Sequence, residues 1–202
     1  MPFRDEMTEM TEIVEITTER LRLRQWTPAD REPWANMLAD PRVMAYFPAP
    51  LDRTASDAFA DRCQAGIVER GWGFWAVERL SDGRFIGMVG LNVPPAALPF
   101  SPCVEIGWRL AHDCWGKGYA FEAANGALAA GFERLGLSEI VAFTTLQNRR
   151  SRALMERLGM RPSPQEEFDH PMLTADSPLL KHCLYRLSKE AWMTRSADAN
   201  KR

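Results

Sequence analysis

Residues 105–122 read Glu105-Ile106-Gly107-Trp108-Arg109-Leu110-Ala111-His112-Asp113-Cys114-Trp115-Gly116-Lys117-Gly118-Tyr119-Ala120-Phe121-Glu122. Val104 to Leu110 has the composition of a strand. Beyond it, Phe121, Ala124, Leu128, Phe132 and Leu135 recur at three- and four-residue steps, which predicts a long helix that Gly136 stops. Gly116-Lys117-Gly118 joins the two as a turn. Glycines there let the backbone take positive φ and come close to a ligand. The unpaired N–H groups of the helix start carry the positive end of the helix dipole, and that combination binds phosphate or pyrophosphate. A plain glycine turn capping a helix has the same spacing, so the turn alone leaves both readings open.

The chain on either side supports a mixed sheet. Glu15 to Trp26 alternates Leu21 and Leu23 with Arg20, Arg22 and Arg24, a half-buried strand. Thr27-Pro28 is a helix start, with Trp34, Met37 and Leu38 as its apolar stripe and Pro41 as its end. Thr54 and Asp57 read as a capping box opening a second helix, with Phe59, Cys63 and Ile67 on its buried face and Gly71 after it. Gly73 to Leu80 and Arg84 to Val93 form a hairpin around Ser81-Asp82-Gly83. Ile140 to Leu146 is a continuous β-prone run, as in a strand buried on both faces. Asn148 caps a helix carrying Leu154, Met155 and Leu158, which Gly159 ends. Arg161 to Phe168 and His182 to Leu187 read as two final strands. The order is one strand, two helices, three strands, a long helix, a strand, a helix and two strands. It predicts a single α/β domain over residues 13–193, with a flexible lead at 1–12 and a flexible polar tail at 194–202.

Composition narrows the function. With 202 residues, 46% of them hydrophobic, the chain is long enough to bury a real core. A formal net charge of −2 argues against nucleic acid as the partner. Cys63, Cys103, Cys114 and Cys183 form no CxxC pair and no Cys/His ligand cluster, and His112, His170 and His182 are expected not to cluster either, so no metal site is expected. Free cysteines and the lack of an apolar leader point to a cytoplasmic protein. Phe85 to Val104 carries no charge, but Pro94, Pro95, Pro99 and Pro102 exclude a membrane helix there, and no membrane partner is expected.

Two phosphate loops can be set against the turn. The Walker pattern needs four residues between Gly and Gly-Lys-Ser/Thr, and the dinucleotide fingerprint needs glycine where Phe121 stands. Both fail. The loop in its surroundings instead resembles the GNAT acetyltransferase superfamily, and within it the branch related to ribosomal-protein N-terminal acetyltransferases of the RimJ/RimL type. The resemblance covers roughly Ile16 to Leu187. It is carried by Thr18-Glu19-Arg20-Leu21-Arg22-Leu23-Arg24; by Glu105-Ile106-Gly107-Trp108 with Trp115-Gly116-Lys117-Gly118-Tyr119-Ala120 and Glu122-Ala123; by Asn148, Ser151, Met155-Glu156 and Leu158-Gly159-Met160; and by the order of elements. Trp115 stands where most of the superfamily has Gln or Arg, and Ala120 replaces the last glycine of the loop.

The resemblance implies a mixed, mostly antiparallel twisted sheet flanked by helices, and acetyl transfer from acetyl-CoA to a primary amine of a protein N-terminus or a small molecule, by direct attack in a ternary complex. A non-catalytic CoA-binding module and a transferase using another acyl-CoA are the alternatives. It implies that the backbone N–H groups of Gly116, Lys117, Gly118, Tyr119 and Ala120, next to Trp115, bind the pyrophosphate. Trp108, Arg109 and Leu110 would pair their backbone with the pantetheine arm, which needs a strand splayed from its neighbour, and Asn148 would contact the arm or the strand end. A homodimer is the expectation from base rates.

Acyl transfer to an amine needs a base for the amine, a donor for the developing oxyanion and a proton or other stabilisation for the thiolate. Many family members use a tyrosine for the last. Met155 occupies that position and cannot donate a proton. Ser151 is the candidate donor, or else a helix-start residue bonded to backbone. Glu105 is the candidate base, since burial raises a carboxyl pKa toward neutrality, or else one half of a structural ion pair. Asp169 and His170 form a second candidate pair. One of Arg149, Arg150 and Arg152 could meet the 3′-phosphate, and Tyr46, Phe47, Trp72, Phe74 and Trp75 are divided between an acceptor pocket and the core.

Overall fold

The computed structural model describes residues 12–95 and 97–199. The expected lead falls almost wholly outside these residues, as do residues 200–202. Strands β1 (Ile16–Thr17) and β2 (Leu21–Arg24) replace the single strand read from Glu15 to Trp26. The break has a physical cause. The Thr18 hydroxyl and the Arg20 backbone N–H both donate to the Glu122 carboxylate, at 2.6 and 2.7 Å, which pulls this turn out of the ladder. A 3₁₀ turn with Pro28 at its start leads into α1 (Arg31–Ala39), and α2 (Arg53–Arg70) follows. The cap of α2 is Asp52, whose side chain accepts from the Ala55 N–H at 2.8 Å, so Thr54 and Asp57 lie inside the helix rather than opening it.

Next come β3 (Phe74–Arg79), β4 (Arg84–Asn92), β5 (Glu105–Leu110) and α3 (Tyr119–Ala129), which ends in a π-helical turn at Ala130–Arg134. Then come β6 (Glu139–Thr145) and α4 (Arg149–Arg157). The strand expected from Arg161 to Phe168 is two short pieces, β7 (Arg161–Pro162) and β8 (Phe168–Asp169), because Pro164 starts a 3₁₀ turn between them. Strand β9 (Lys181–Ser188) runs directly into α5 (Lys189–Ala199). Helix α5 continues through the stretch expected to be a polar tail. Trp192 anchors it, buried with its ring 5.6 Å from that of Phe132.

The nine strands form one sheet in the order β1-β2-β3-β4-β5-β6-β9-β7, with β8 also on β9. Every pairing is antiparallel except β5–β6. Helices α1 and α2 cover one face, where Cys63 of α2 meets Met88 of β4 and Trp34 packs edge-on to Trp26 and Phe85. Helix α3 covers the other, with Gly131 close against Leu91 and Ile140.

The parallel pair positions the site. Strand β5 pairs with β4 along its whole length, from Glu105↔Asn92 to Leu110↔Gly87. It meets β6 at one rung only, Glu105↔Val141, with the Val141 N–H on the Val104 carbonyl at 3.0 Å. Beyond that rung the strands diverge, and Ile106–Leu110 face a gap in the middle of the sheet.

Candidate active site

The gap opens into a cleft of about 1430 Å³ that runs from the Tyr46 and Phe47 loop, past β5 and the glycine turn, to α4 and the loop before β9. The splay expected from the resemblance is therefore present, and Trp108, Arg109 and Leu110 line it.

At the outer end of β5, Gly116 and Gly118 have φ of 75° and 82°, the left-handed region that suits glycine. A Cβ on Gly116 would meet nothing within 4 Å, so that glycine answers to backbone conformation and open access rather than to crowding. Gly118 caps α3 without any side-chain partner. The first backbone bond of the helix is Glu122 N–H to the Gly118 carbonyl, and among the described residues the N–H groups of 116–121 have no acceptor. A carboxylate in the first turn of α3, that of Glu122, would compete with an anion held there. It is neutralised from behind. Burial pushes its pKa up, but hydrogen bonds from Thr18 and from the Arg20 backbone and guanidinium outweigh that and hold it below the usual range. Arg20 also donates to the Lys117 carbonyl at 3.0 Å and lies over the Tyr119 ring. The early Thr18-Glu19-Arg20 motif and the late Glu122 thus form one clasp on the turn.

Trp115 folds back, its indole N–H on the Leu110 carbonyl at 2.8 Å, with His112 beside it and Arg150 over its face. Arg152 is spent on the Leu146 carbonyl and the Tyr185 hydroxyl, which leaves Arg149 and Arg150 exposed at the mouth. Asn148 caps α4 by accepting from the Ser151 N–H at 3.2 Å and ties it to β6 through the Thr144 hydroxyl at 3.0 Å. Both polar ends of its side chain are engaged within the protein.

Glu105 stands at the rung where β5 and β6 part. Among the described residues it makes no ion pair and has one polar partner, the Asn92 amide at 2.9 Å, and burial pushes its pKa up to about 7. Ser151 lies across the gap and accepts the Trp108 indole N–H at 3.1 Å. Met155 is buried, and the Tyr185 hydroxyl is engaged by Glu156 at 2.9 Å.

The Asp169 carboxylate is bridged to Lys181 at 2.7 Å rather than to His170. Instead the β8–β9 pairing brings His170 and His182 together, ring centroids 4.8 Å apart, among Phe143 and Phe168. Two of the three histidines do cluster in space, and burial holds both below the usual histidine pKa. Among the described residues no group of three or more His, Cys, Asp or Glu could hold a metal. Of the aromatic residues, Tyr46, Phe47 and Phe74 line the cleft, while Trp75 is core, its N–H on the Val14 carbonyl at 2.7 Å. Trp72 lies under Arg70, outside the cleft.

A family model described as the acetyltransferase (GNAT) domain matches residues 20–161. The FsC-acetyl coenzyme A-N(2)-transacetylase of Aspergillus fumigatus is 30% identical over 189 residues, covering 88% of this chain and 77% of that protein. An acetyltransferase from Agrobacterium tumefaciens str. C58 shares the fold with a TM-score of 0.71 at 30% identity, over 87% of this chain and 95% of the other. RimJ of Mycobacterium smegmatis, solved in complex with CoA-disulfide, aligns with a TM-score of 0.66 at 22% identity over 89% of each chain.

Proposed function

The chain belongs to the GNAT acetyltransferases, acyl-CoA-dependent enzymes that acetylate amines, and we propose that it moves the acetyl group of acetyl-CoA to a primary amine by direct attack within a ternary complex. The observation that carries this reading is the continuity of two largely unpaired backbone surfaces, the Leu110 carbonyl on the first being held by the Trp115 indole. The β6-facing edge of Ile106–Leu110 leads straight into the six unpaired N–H groups of 116–121. An extended amide arm ending in a diphosphate matches that sequence of partners.

In this reading residues 116–120 hold the diphosphate, Trp108–Leu110 hold the arm, and Arg149 and Arg150 face the remaining phosphate. Acetyl-CoA supplies the activated carbonyl and a thiol leaving group. Glu105 takes the proton of the incoming amine, for which a pKa near 7 is suited. Ser151 gives its hydroxyl proton to the departing sulfur and is reprotonated from solvent, while Glu105 releases the amine's proton to solvent, so the cycle closes with no net proton change. An indole N–H can only donate, so Trp108 occupies a lone pair of the Ser151 oxygen and leaves its O–H free to donate. That O–H has no acceptor among the described residues.

The test has two steps. Thermal unfolding with increasing acetyl-CoA should raise the midpoint, with ATP and NADH as controls. Release of free thiol with a panel of amines then reports turnover. A midpoint raised by ATP or NADH but not by acetyl-CoA overturns the reading of the loop. A shift with acetyl-CoA and no thiol release with any amine overturns the amine reading and leaves a CoA-binding module.

A further inference from the structure

The reaction outlined above uses the backbone of Arg109 on β5 but not its charged side chain. It shares a strand face with Glu105 and Gly107, the face turned toward α1 and α2, and pairs across β4 with Met88. Its side chain lines the cleft, partly buried, and its Nε is sealed from solvent without a hydrogen-bond partner. Among the described residues it makes no hydrogen bond and no ion pair. Its neighbours are aromatic: the guanidinium carbon is 3.8 Å from the ring centre of Phe47, 5.4 Å from that of Phe59 and 5.8 Å from that of Trp34. Burial with no acid beside it pulls its pKa down to about 10. A guanidinium even partly withdrawn from water usually has an anion beside it. Arg24, by contrast, is paired with both Asp30 and Glu78.

We propose that Arg109 is the specificity residue of the acceptor pocket and that the acceptor is a primary amine bearing a carboxylate, which the guanidinium receives while the amine lies at Glu105. This rests on the acetyl-transfer reading and names its substrate class. The two residues are four apart on one strand, so their Cα atoms are about 13 Å apart. The Phe74 ring rests on Gly107 between them, where an added Cβ would come within 3.0 Å of it. A carboxyl at one end, an apolar floor and an unpaired guanidinium at the other fit an amine and a carboxylate joined by a hydrocarbon spacer. The aromatic cage holds the guanidinium in place, and its five N–H donors match a carboxylate in bidentate fashion.

The probes are straight-chain ω-amino acids from glycine to 6-aminohexanoate, each compared with its carboxamide. Two readouts are taken on wild type, Arg109→Met and Arg109→Lys: thiol release from acetyl-CoA, and the shift of the unfolding midpoint in the presence of CoA. Wild type should prefer one or two acids over their amides by roughly 10- to 100-fold in kcat/KM. Arg109→Met should erase that preference, and Arg109→Lys should keep part of it. Without any ligand, Arg109→Met should unfold at the same temperature or higher, because a partly buried charge with no acid beside it is removed.

Equal use of acids and amides by wild type overturns the proposal while leaving acetyl transfer intact. So does a marked fall in the unfolding temperature of Arg109→Met with discrimination unchanged, which assigns Arg109 to packing. If no amine turns over, the acetyl-transfer reading fails, and the CoA-loaded midpoint still decides whether acids bind through Arg109.

Discussion

The indole N–H of Trp108 donates to Ser151 Oγ at 3.1 Å, across the gap between β5 and α4. The two residues are 43 positions apart, and each comes from a different wall of the cleft. Removing the hydroxyl tests the proton donor. Ser151→Ala should lower kcat about 100-fold with acetyl-CoA affinity unchanged. Trp108→Phe keeps most of the ring but frees the serine to rotate, and it should cost roughly 10-fold. Steady-state kinetics with calorimetric binding of acetyl-CoA separates the two effects. An unchanged kcat in Ser151→Ala would mean that the thiolate departs without a proton.

Glu105 sets a pH dependence. Its carboxyl, pushed up to about 7 by burial, must lose its proton to act as a base, so kcat/KM should climb as pH rises toward 7 and level off above it. Glu105→Gln should lose that limb and at least 100-fold of the plateau rate. The same shift appears in stability, with a fixed sign. The folded state keeps the proton up to about pH 7, whereas the unfolded chain releases it near 4.5. Wild type therefore loses stability relative to Glu105→Gln as pH rises through that window, and the difference stays constant above it. Unfolding midpoints of both proteins at pH 5 and pH 8.5 check this.

The clasp behind the glycine turn predicts a rescue. Arg20→Ala leaves the Glu122 carboxylate in the first turn of α3 without its cation, and acetyl-CoA should bind roughly 10-fold more weakly, most of all at low salt. Adding Glu122→Gln to that variant removes the repelling charge and should recover most of the loss. A double variant as weak as the single one would point to loop distortion instead of charge.

Gly118 answers to both backbone and access. Gly118→Ala must hold an L residue at φ of 82°, a strain of about 1–2 kcal/mol, and should lower the unfolding midpoint modestly. Gly118→Asp adds a negative charge where an anion is expected and should abolish the acetyl-CoA shift altogether. Both are read in one thermal-unfolding series.

What could be read from the chain itself was whatever depends on near neighbours. Strand β6, the capping of α4 by Asn148 and the stop at Gly136 follow from local composition, and the glycine turn from its own spacing. The failures share one cause, a partner distant in sequence. The strand from Glu15 to Trp26 breaks because Glu122, about a hundred residues on, takes its hydrogen bonds. The tail becomes a helix because Trp192 finds Phe132. His170 and His182 meet because β8 folds onto β9. Arg109 looked like a strand residue valued for its backbone alone, since Trp34, Phe47 and Phe59, which enclose its side chain, come from segments that the chain leaves 50 or more residues earlier. Ser151 and Glu105 were legible by position in the motif, but their opposing walls were not.

The solitary β5–β6 rung bears on how the molecule breathes. Strands β1 to β5 and strands β6 to β9 each form a well-paired ladder, and among the described residues the two ladders pair strand to strand at that rung alone. Small domains ordinarily open as whole cooperative blocks, and the weakest seam decides where the blocks divide. In the proposed binding mode an arm laid along Ile106–Leu110 acts as a stretch of tenth strand, so amide hydrogen exchange on the two sides should be uncoupled in the free enzyme and joined when acetyl-CoA is bound. The substrate then completes the secondary structure of its own catalyst, and every departure of CoA reopens the sheet for the next round.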